Sequence, residues 1–380
     1  MPIRVLLVDD SILTRRVLSK VLGADGRVDI CGTAPDGRAA LQKIARLKPD
    51  LVVLDVEMPV MNGLETLVEL RRDHPKLPVV MFSALTRPGV QTTLDALLAG
   101  ASDYVLKPTG ETNVVQQIQQ TLLPKILLHG GGAARRSVVR ETPEERSDAT
   151  PAEVAPERPS SGEIPIRVLA PTRQSLPPRP IEAVVLGVST GGPQALLDLF
   201  QHLPSSLPAP VVIVQHMLAA FLPRLAYRLS ARGNMTVKMA EPGRPLADAP
   251  AWLAPGGTHT AIRRGASGPH LVAVDSPPVN SCRPAADVLF ESAAKTLGPA
   301  VLGVVMTGMG RDGLLGSRAV VEAGGRVLAQ DEPSSVVWGM PGSVAKAGLA
   351  SATLPPIELA AEIVSQVNRS HRGRKPSPPE

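Results

Sequence analysis

Residues 184–192 read VVLGVSTGG, an apolar β-branched run that ends in Ser189 and two glycines. Such a run has the pattern of a strand buried on both faces of a parallel sheet, with a polar residue at its carboxyl end. In an open α/β sheet that edge is where ligands bind. Two further segments repeat the arrangement: VVIVQHM (211–217) ends near His216, and VLGVVMTGMGRDG (301–313) leads to Asp312. A serine, a histidine and an aspartate at equivalent strand ends point to one active site and to acyl transfer from an ester.

Gly187-Val-Ser189-Thr190-Gly191 fits G-x-S-x-G, the pattern of a nucleophile elbow. The amphipathic stretch PQALLDLFQHL (193–203) follows as a helix, and its first amides could help bind an oxyanion. A glycine-rich turn with an exposed serine is the plain alternative, and a phosphate site at the helix start is another. The glycine spacings of dinucleotide and P-loop sites are absent. The α/β-hydrolases run serine, acid, histidine. Here only His259, His270 and His371 follow His216, in a turn, at a strand start and in the tail. The order Ser189, His216, Asp312 therefore fits an independently evolved triad. Asp275 and Asp331 are rival acids, but the glycine turn around Asp312 lets backbone pass close to a substrate.

At 380 residues with 43% apolar content, the chain has room for two cores. Aromatic residues are 2%, so those cores must be built from Leu, Val, Ala and Ile. The two cysteines, Cys31 and Cys282, fall in different halves and suggest no disulfide framework, which fits a reducing cytoplasm. The start, MPIRVLLVDDSIL, is not a signal peptide, and no apolar stretch is long enough for membrane insertion. A formal charge of +5 with no aromatic-interleaved basic patch argues against nucleic-acid binding.

The first half alternates strand-like and helix-like segments. IRVLLV (3–8), VDICGTA (28–34), LVVLDV (51–56), PVVMFSA (78–84) and DYVLK (103–107) read as five parallel strands. Their carboxyl edge collects Asp9 and Asp10, Asp55, Ser83 and Lys107. Any one acid reads as an exposed strand-end residue. Three together call for a hard cation, and Mg²⁺ suits few carboxylates with several waters. A phosphoryl group on Asp55 would give Lys107 and the Ser83 hydroxyl an anion to meet. Residues 129–181 are rich in Pro, Gly, Ser and charge and read as a flexible linker. A second αβ series fills 182–368, and 369–380 reads as a disordered tail. The expected fold class is thus α/β, with a five-stranded doubly wound domain over 1–128 and a Rossmann-like one over 182–368.

The DD at 9–10, DVEMPVMNG (55–63), SA at 83–84 and KP at 107–108 resemble the receiver domain of bacterial response regulators. That resemblance implies Asp55 as phosphoacceptor, Mg²⁺ held by Asp9, Asp10 and Asp55, and Ser83, Tyr104 and Lys107 as switch residues. It also implies a cis Lys107–Pro108 bond. In the second half, GVSTGGP, VVIVQHM, APGGTH, PPVNSCRPAADVLF, MTGMGRDG and GMPGS resemble the catalytic domain of the chemotaxis protein-glutamate methylesterases. This second resemblance implies Ser189 as nucleophile, His216 as general base, Asp312 as orienting acid and an oxyanion amide at Met309, with no cofactor for the esterase. Thr190 and Arg283 are further substrate-side candidates, Arg283 having a surface salt bridge as its plain alternative. The implied partners are methylated cytoplasmic helices of chemoreceptors and the chemotaxis histidine kinase, and the implied location is the cytoplasm, at receptor arrays. Deamidation of receptor glutamines and a receiver that covers the esterase site until phosphorylated are also implied. A receiver-controlled esterase with another substrate, or a non-enzymatic response regulator, are the competing readings. The latter would show a helix-turn-helix after the linker, and none is visible. A linker of this length could allow many relative placements of the two domains.

Overall fold

The structure, a computed structural model, describes residues 1–84, 86–108, 113–138 and 179–371. The first unit is a five-stranded parallel sheet of β1 (Ile3–Val8), β2 (Val28–Ala34), β3 (Leu51–Asp55), β4 (Val79–Ser83) and β5 (Asp103–Leu106), in the order β2-β1-β3-β4-β5. β3 and β4 are buried along their whole length, as an apolar strand covered on both faces must be. Polar side chains start the intervening helices. Ser11, Asp36 and Thr86 cap their helix starts, and Asn62 and Glu65 form a reciprocal capping box.

The second unit contains β6 (Ala183–Val188), β7 (Val211–Gln215), β8 (Val237–Met239), β9 (Ala251–Leu253), β10 (His259–Gly265), β11 (Gly268–Val274), β12 (Val301–Val305), β13 (Arg326–Gln330) and β14 (Ala352–Leu354). Seven of these form a parallel sheet in the order β14-β13-β12-β6-β7-β9-β8, while β10 and β11 pair as a separate antiparallel hairpin. From β6 the chain builds outward through β7 on one side and later returns on the other as β12. The strand order therefore reverses beside β6, and a crevice at the carboxyl ends of β12, β6 and β7 follows from that reversal. Ser189, His216 and Asp312 all lie after those three strands.

The helix Val114–Val138 continues past the expected domain edge at 128. The glycine-rich composition from 129 reads as linker, but Gly130 lies so close to Ile3 that any side chain there would collide with it. The glycine serves close packing, and the helix passes through it. The last helix, Pro356–His371, likewise runs past 368. Most of the expected linker, residues 139–178, and the tail from 372 lie outside the described residues. The implied cis Lys107–Pro108 bond is not found; among the described residues the cis bond is Arg283–Pro284.

The two units touch. Leu94 and Leu98, from the helix Arg87–Leu98 of the first unit, share an apolar cluster with Leu196, Phe221 and Leu222 of the second. The Tyr104 and Phe221 rings stand 4.9 Å apart, and Tyr104 Oη accepts a hydrogen bond from the Leu218 amide at 3.3 Å. Arg228 Nη2 reaches Asp95 Oδ2 at 2.5 Å.

Candidate active site

The turn after β6 explains its own glycines. Gly191 has φ +78°, and a Cβ there would meet Val336 at 2.5 Å. A Cβ on Gly192 would collide with the Gln215 amide oxygen. The chain thus turns from strand to helix beside Ser189 without a side chain in the way. The Ser189 amide donates to Thr307 O at 2.9 Å, and its carbonyl accepts from the Gly192 amide at 2.8 Å.

His216 is tied to this turn through backbone. Its amide donates to Val188 O at 3.0 Å. The buried Gln215 side chain donates from Nε2 to both Ser189 O and His216 O, each at 3.0 Å. Ser189, Thr190 and His216 line one cavity of about 140 Å³. Across it stand Leu97, Asp103, Tyr104 and Lys125 of the first unit.

Behind His216 lies Asp312. His216 Nε2 is 2.8 Å from Asp312 Oδ2, close enough for an ion pair although off the axis of a hydrogen bond. Asp312 is buried, and the helix Ala286–Leu297 starts on it. The Ala286 amide donates to Oδ2 at 2.6 Å and the Asp287 amide to Oδ1 at 3.1 Å. A helix N-terminus favours a negative charge. Burial pushes the Asp312 carboxyl up, but His216 and these two amides outweigh it and hold it below the ordinary value. For His216, burial pushes down, yet Asp312 and then Cys282 dominate and raise it to about 9.

Met309 is 56% exposed on the turn after β12. The preceding Gly308 abuts the serine: a Cβ there would come within 2.7 Å of Ser189 Cβ. The Met309 amide is therefore one residue from a direct contact with the nucleophile candidate. Arg283 is engaged elsewhere, donating from Nη1 to Asp275 Oδ1 and Ser276 O at 3.1 Å each. Sequence reading missed Gln215, Asn280 and Asp287. A glutamine inside the buried run VVIVQ was the available signal for the first.

In the first unit, Asp9, Asp10 and Asp55 bring carboxylate oxygens within 4.8 Å of one another. Lys107 Nζ lies 2.8 Å from both Asp9 Oδ2 and Asp55 Oδ2. Burial raises Asp55 to about 6, with Asp9 adding to the rise and Lys107 opposing it. One ammonium for three acids leaves the cluster short of positive charge, and a divalent cation fits that deficit. Ser83 Oγ, on the same edge, donates to Ala84 O at 3.2 Å.

An acidic phosphoacceptor-type pocket in one α/β unit and a serine beside an imidazole–carboxylate pair in the other define a class: a response regulator whose output unit is a hydrolase. The CheB methylesterase family model matches residues 184–363, and the response regulator receiver domain model matches 5–119. The protein-glutamate methylesterase/protein-glutamine glutaminase of Trichodesmium erythraeum (strain IMS101) is 43% identical over 367 residues, covering 96% of this chain and 99% of that protein. Its counterpart in Nocardioides sp. (strain ATCC BAA-499 / JS614) is 44% identical over 378 residues, covering 99% and 98%. The crystal structure of the Thermotoga maritima CheB methylesterase catalytic domain is 36% identical, covers 48% of this chain and 97% of that one, and aligns with a TM-score of 0.47. The chain belongs to the family of receiver-linked protein-glutamate methylesterases/protein-glutamine glutaminases.

Proposed function

We propose that this receiver-regulated protein-glutamate methylesterase/protein-glutamine glutaminase works through Ser189 as nucleophile, His216 as general base and Asp312 as the acid that orients it. The observation that carries the reading is the 2.8 Å contact of Asp312 with His216, which lines the same cavity as Ser189. Nε2 faces Asp312, which leaves Nδ1 to take the Ser189 proton. Ser189 Oγ adds to the ester carbonyl, and the oxyanion is met by the Met309 amide, with Thr190 beside it. The imidazolium returns its proton to the leaving methoxide, methanol departs, and water attacks the acyl-enzyme in the same way. With a glutamine side chain the leaving group is ammonia. Arg283, held by Asp275 on the surface, has no part in these steps.

The substrates are methyl-esterified glutamates and glutamines on the cytoplasmic helices of chemoreceptors, and the chain works in the cytoplasm at receptor arrays. Among the described residues no helix is long and apolar enough to cross a membrane. The chemotaxis histidine kinase supplies phosphate to Asp55. Asp9, Asp10 and Asp55 would hold Mg²⁺, which supplies positive charge opposite the phosphoryl group. Lys107 and Ser83 meet the same group, and Tyr104 carries the change to the interface where it now holds Leu218.

The direct test is methanol release from methylated receptor membranes, measured against a generic small ester. In protein treated with a phosphodonor and Mg²⁺, faster turnover of the small ester than of receptor would favour a non-receptor substrate. A pH profile tests the base. A group raised to about 9 is protonated at neutral pH and must lose that proton to act. Receptor kcat/KM is therefore expected to climb until about pH 9 and level off above it. A plateau reached already near pH 6.5, the ordinary histidine value of about 6.5, would remove His216 from the role.

A further inference from the structure

The segment PPVNSC (277–282) folds back on itself. The Val279 amide donates to Cys282 O at 3.1 Å and the Cys282 amide to Val279 O at 2.9 Å. The two residues between, Asn280 and Ser281, have φ of 51° and 62°. Two successive left-handed residues make a turn of the I′ kind, where asparagine is well tolerated. Turn chemistry alone would thus explain an asparagine at 280, and glycine would serve as well.

What turn chemistry does not explain is the direction of the amide. Asn280 Nδ2 donates to Asp312 Oδ1 at 3.0 Å and to Asp287 Oδ2 at 2.9 Å. Both carboxylates are 2% exposed. Asp287 Oδ1 accepts from the Gly316 amide at 2.7 Å, so Asp287 is anchored on its far side. Two buried acids side by side repel unless a donor or a proton stands between them. Here one side-chain amide serves both. The other titratable groups facing the pair are His216, Cys282 of the same turn, and Glu291 of the helix Ala286–Leu297. Burial and the Asp312 charge raise Asp287, so Asp287 is the member of the pair that holds a proton more readily, and Asp312 keeps the charge.

We propose that Asn280, backed by Asp287, is a positioning residue that fixes the Asp312 carboxylate as an anion against His216. The proposal rests on the triad reading above. It deepens that reading by adding the group that decides which of two buried acids faces the imidazole. Losing the shared donor would let the pair spread one proton over both carboxylates. Asp312 would then support the His216 cation less well, and the imidazole would give up its proton at lower pH.

The test uses two variants of the full chain. Asn280→Gly removes the amide but keeps a residue suited to φ of 51°. Asn280→Asp keeps the volume and the turn but replaces the donor with a third acid. Compared on each variant's own high-pH plateau, where the imidazole is neutral, the expected order of receptor kcat is wild type, then Gly, then Asp, with KM unchanged. A role in filling space would reverse the last two, because Asp keeps the volume that Gly loses; that order would overturn the proposal. The second readout needs no turnover. In a Ser189→Ala background, the His216 imidazole is titrated by NMR with and without Asn280→Gly. Its midpoint is expected to fall by about one unit, a tenfold change in proton affinity. A midpoint that stays put overturns the proposal. Should Ser189→Ala itself retain turnover, the triad reading falls, while the midpoint still reports whether Asn280 governs the Asp312–His216 pair.

Discussion

Ser189→Ala is expected to release essentially no methanol from methylated receptors while melting at the wild-type temperature. The folding half of that expectation follows from what Ser189 does structurally. Its amide donates to Thr307 O, and its carbonyl accepts from the Gly192 amide and the Gln215 side chain, so these bonds all run through its backbone. Alanine keeps every one of them and deletes only the hydroxyl. The chemical half follows from the attacking role proposed for that hydroxyl. Loss of a triad member in a serine protease costs up to about 10⁶-fold in kcat, with some rate left by binding and oxyanion donors. His216→Gln should fall about as far, and the double variant no further, because the two act in one proton transfer. Near-wild-type turnover by folded Ser189→Ala would end the assignment. Multiplicative losses for the two single variants would mean that they do not share a step.

The parts of this site that were legible in sequence share a physical cause. A strand covered on both faces must be apolar throughout, so the polar residues in the turns that follow VVLGV, VVIV and VLGVV mark the sheet edge. That rule delivers Ser189, His216, Asp312, Asp55 and Lys107 to their edges without any knowledge of tertiary structure. Asn280 and Asp287 escape the same rule. Asn280 sits in a turn, where asparagine is ordinary, and Asp287 sits in the first turn of a helix, where an acid is ordinary. Each looks like local structure until the fold brings both onto Asp312. The glycines from 130 misled in the opposite direction, because a glycine placed for close approach to Ile3, as Gly130 is, reads the same as the glycine of a linker. The docking of the two units was not legible either. It depends on which faces of the helices Arg87–Leu98 and Leu222–Arg232 remain after each has covered its own sheet.

That docking makes the second large prediction. With the receiver in place, the space above Ser189 is about 140 Å³ and is walled by Leu97, Tyr104 and Lys125. A helix with side chains is about 10–12 Å across, so a receptor helix cannot bring its ester to Ser189 through such a space. With receptor helices as the proposed substrate, this arrangement is a covered state, and catalysis on them would require the units to part. The contacts that oppose parting are the Tyr104–Phe221 stack, the Tyr104–Leu218 hydrogen bond, the shared apolar cluster and the Asp95–Arg228 pair. The ion pair is the one whose sign can be reversed without emptying a core. Asp95→Lys should set two cations against each other and raise receptor turnover by unphosphorylated full-length protein on the order of tenfold, within the range of couplings between sites. Adding Arg228→Asp should restore the covered state by re-forming the pair with its charges exchanged. A phosphodonor with Mg²⁺ should raise wild-type turnover as well, and Asp55→Asn should abolish that rise. Asp95→Lys in the Asp55→Asn background should stay released, since it acts downstream of the acceptor. A small ester should respond to none of these changes as strongly as receptor does, because the cavity already admits it. If the charge reversal leaves receptor turnover unchanged while the phosphodonor still raises it, the pair is not what holds the units together. If neither raises it, the receiver does not inhibit by covering Ser189, and its effect on turnover must come through recruitment to the receptor instead.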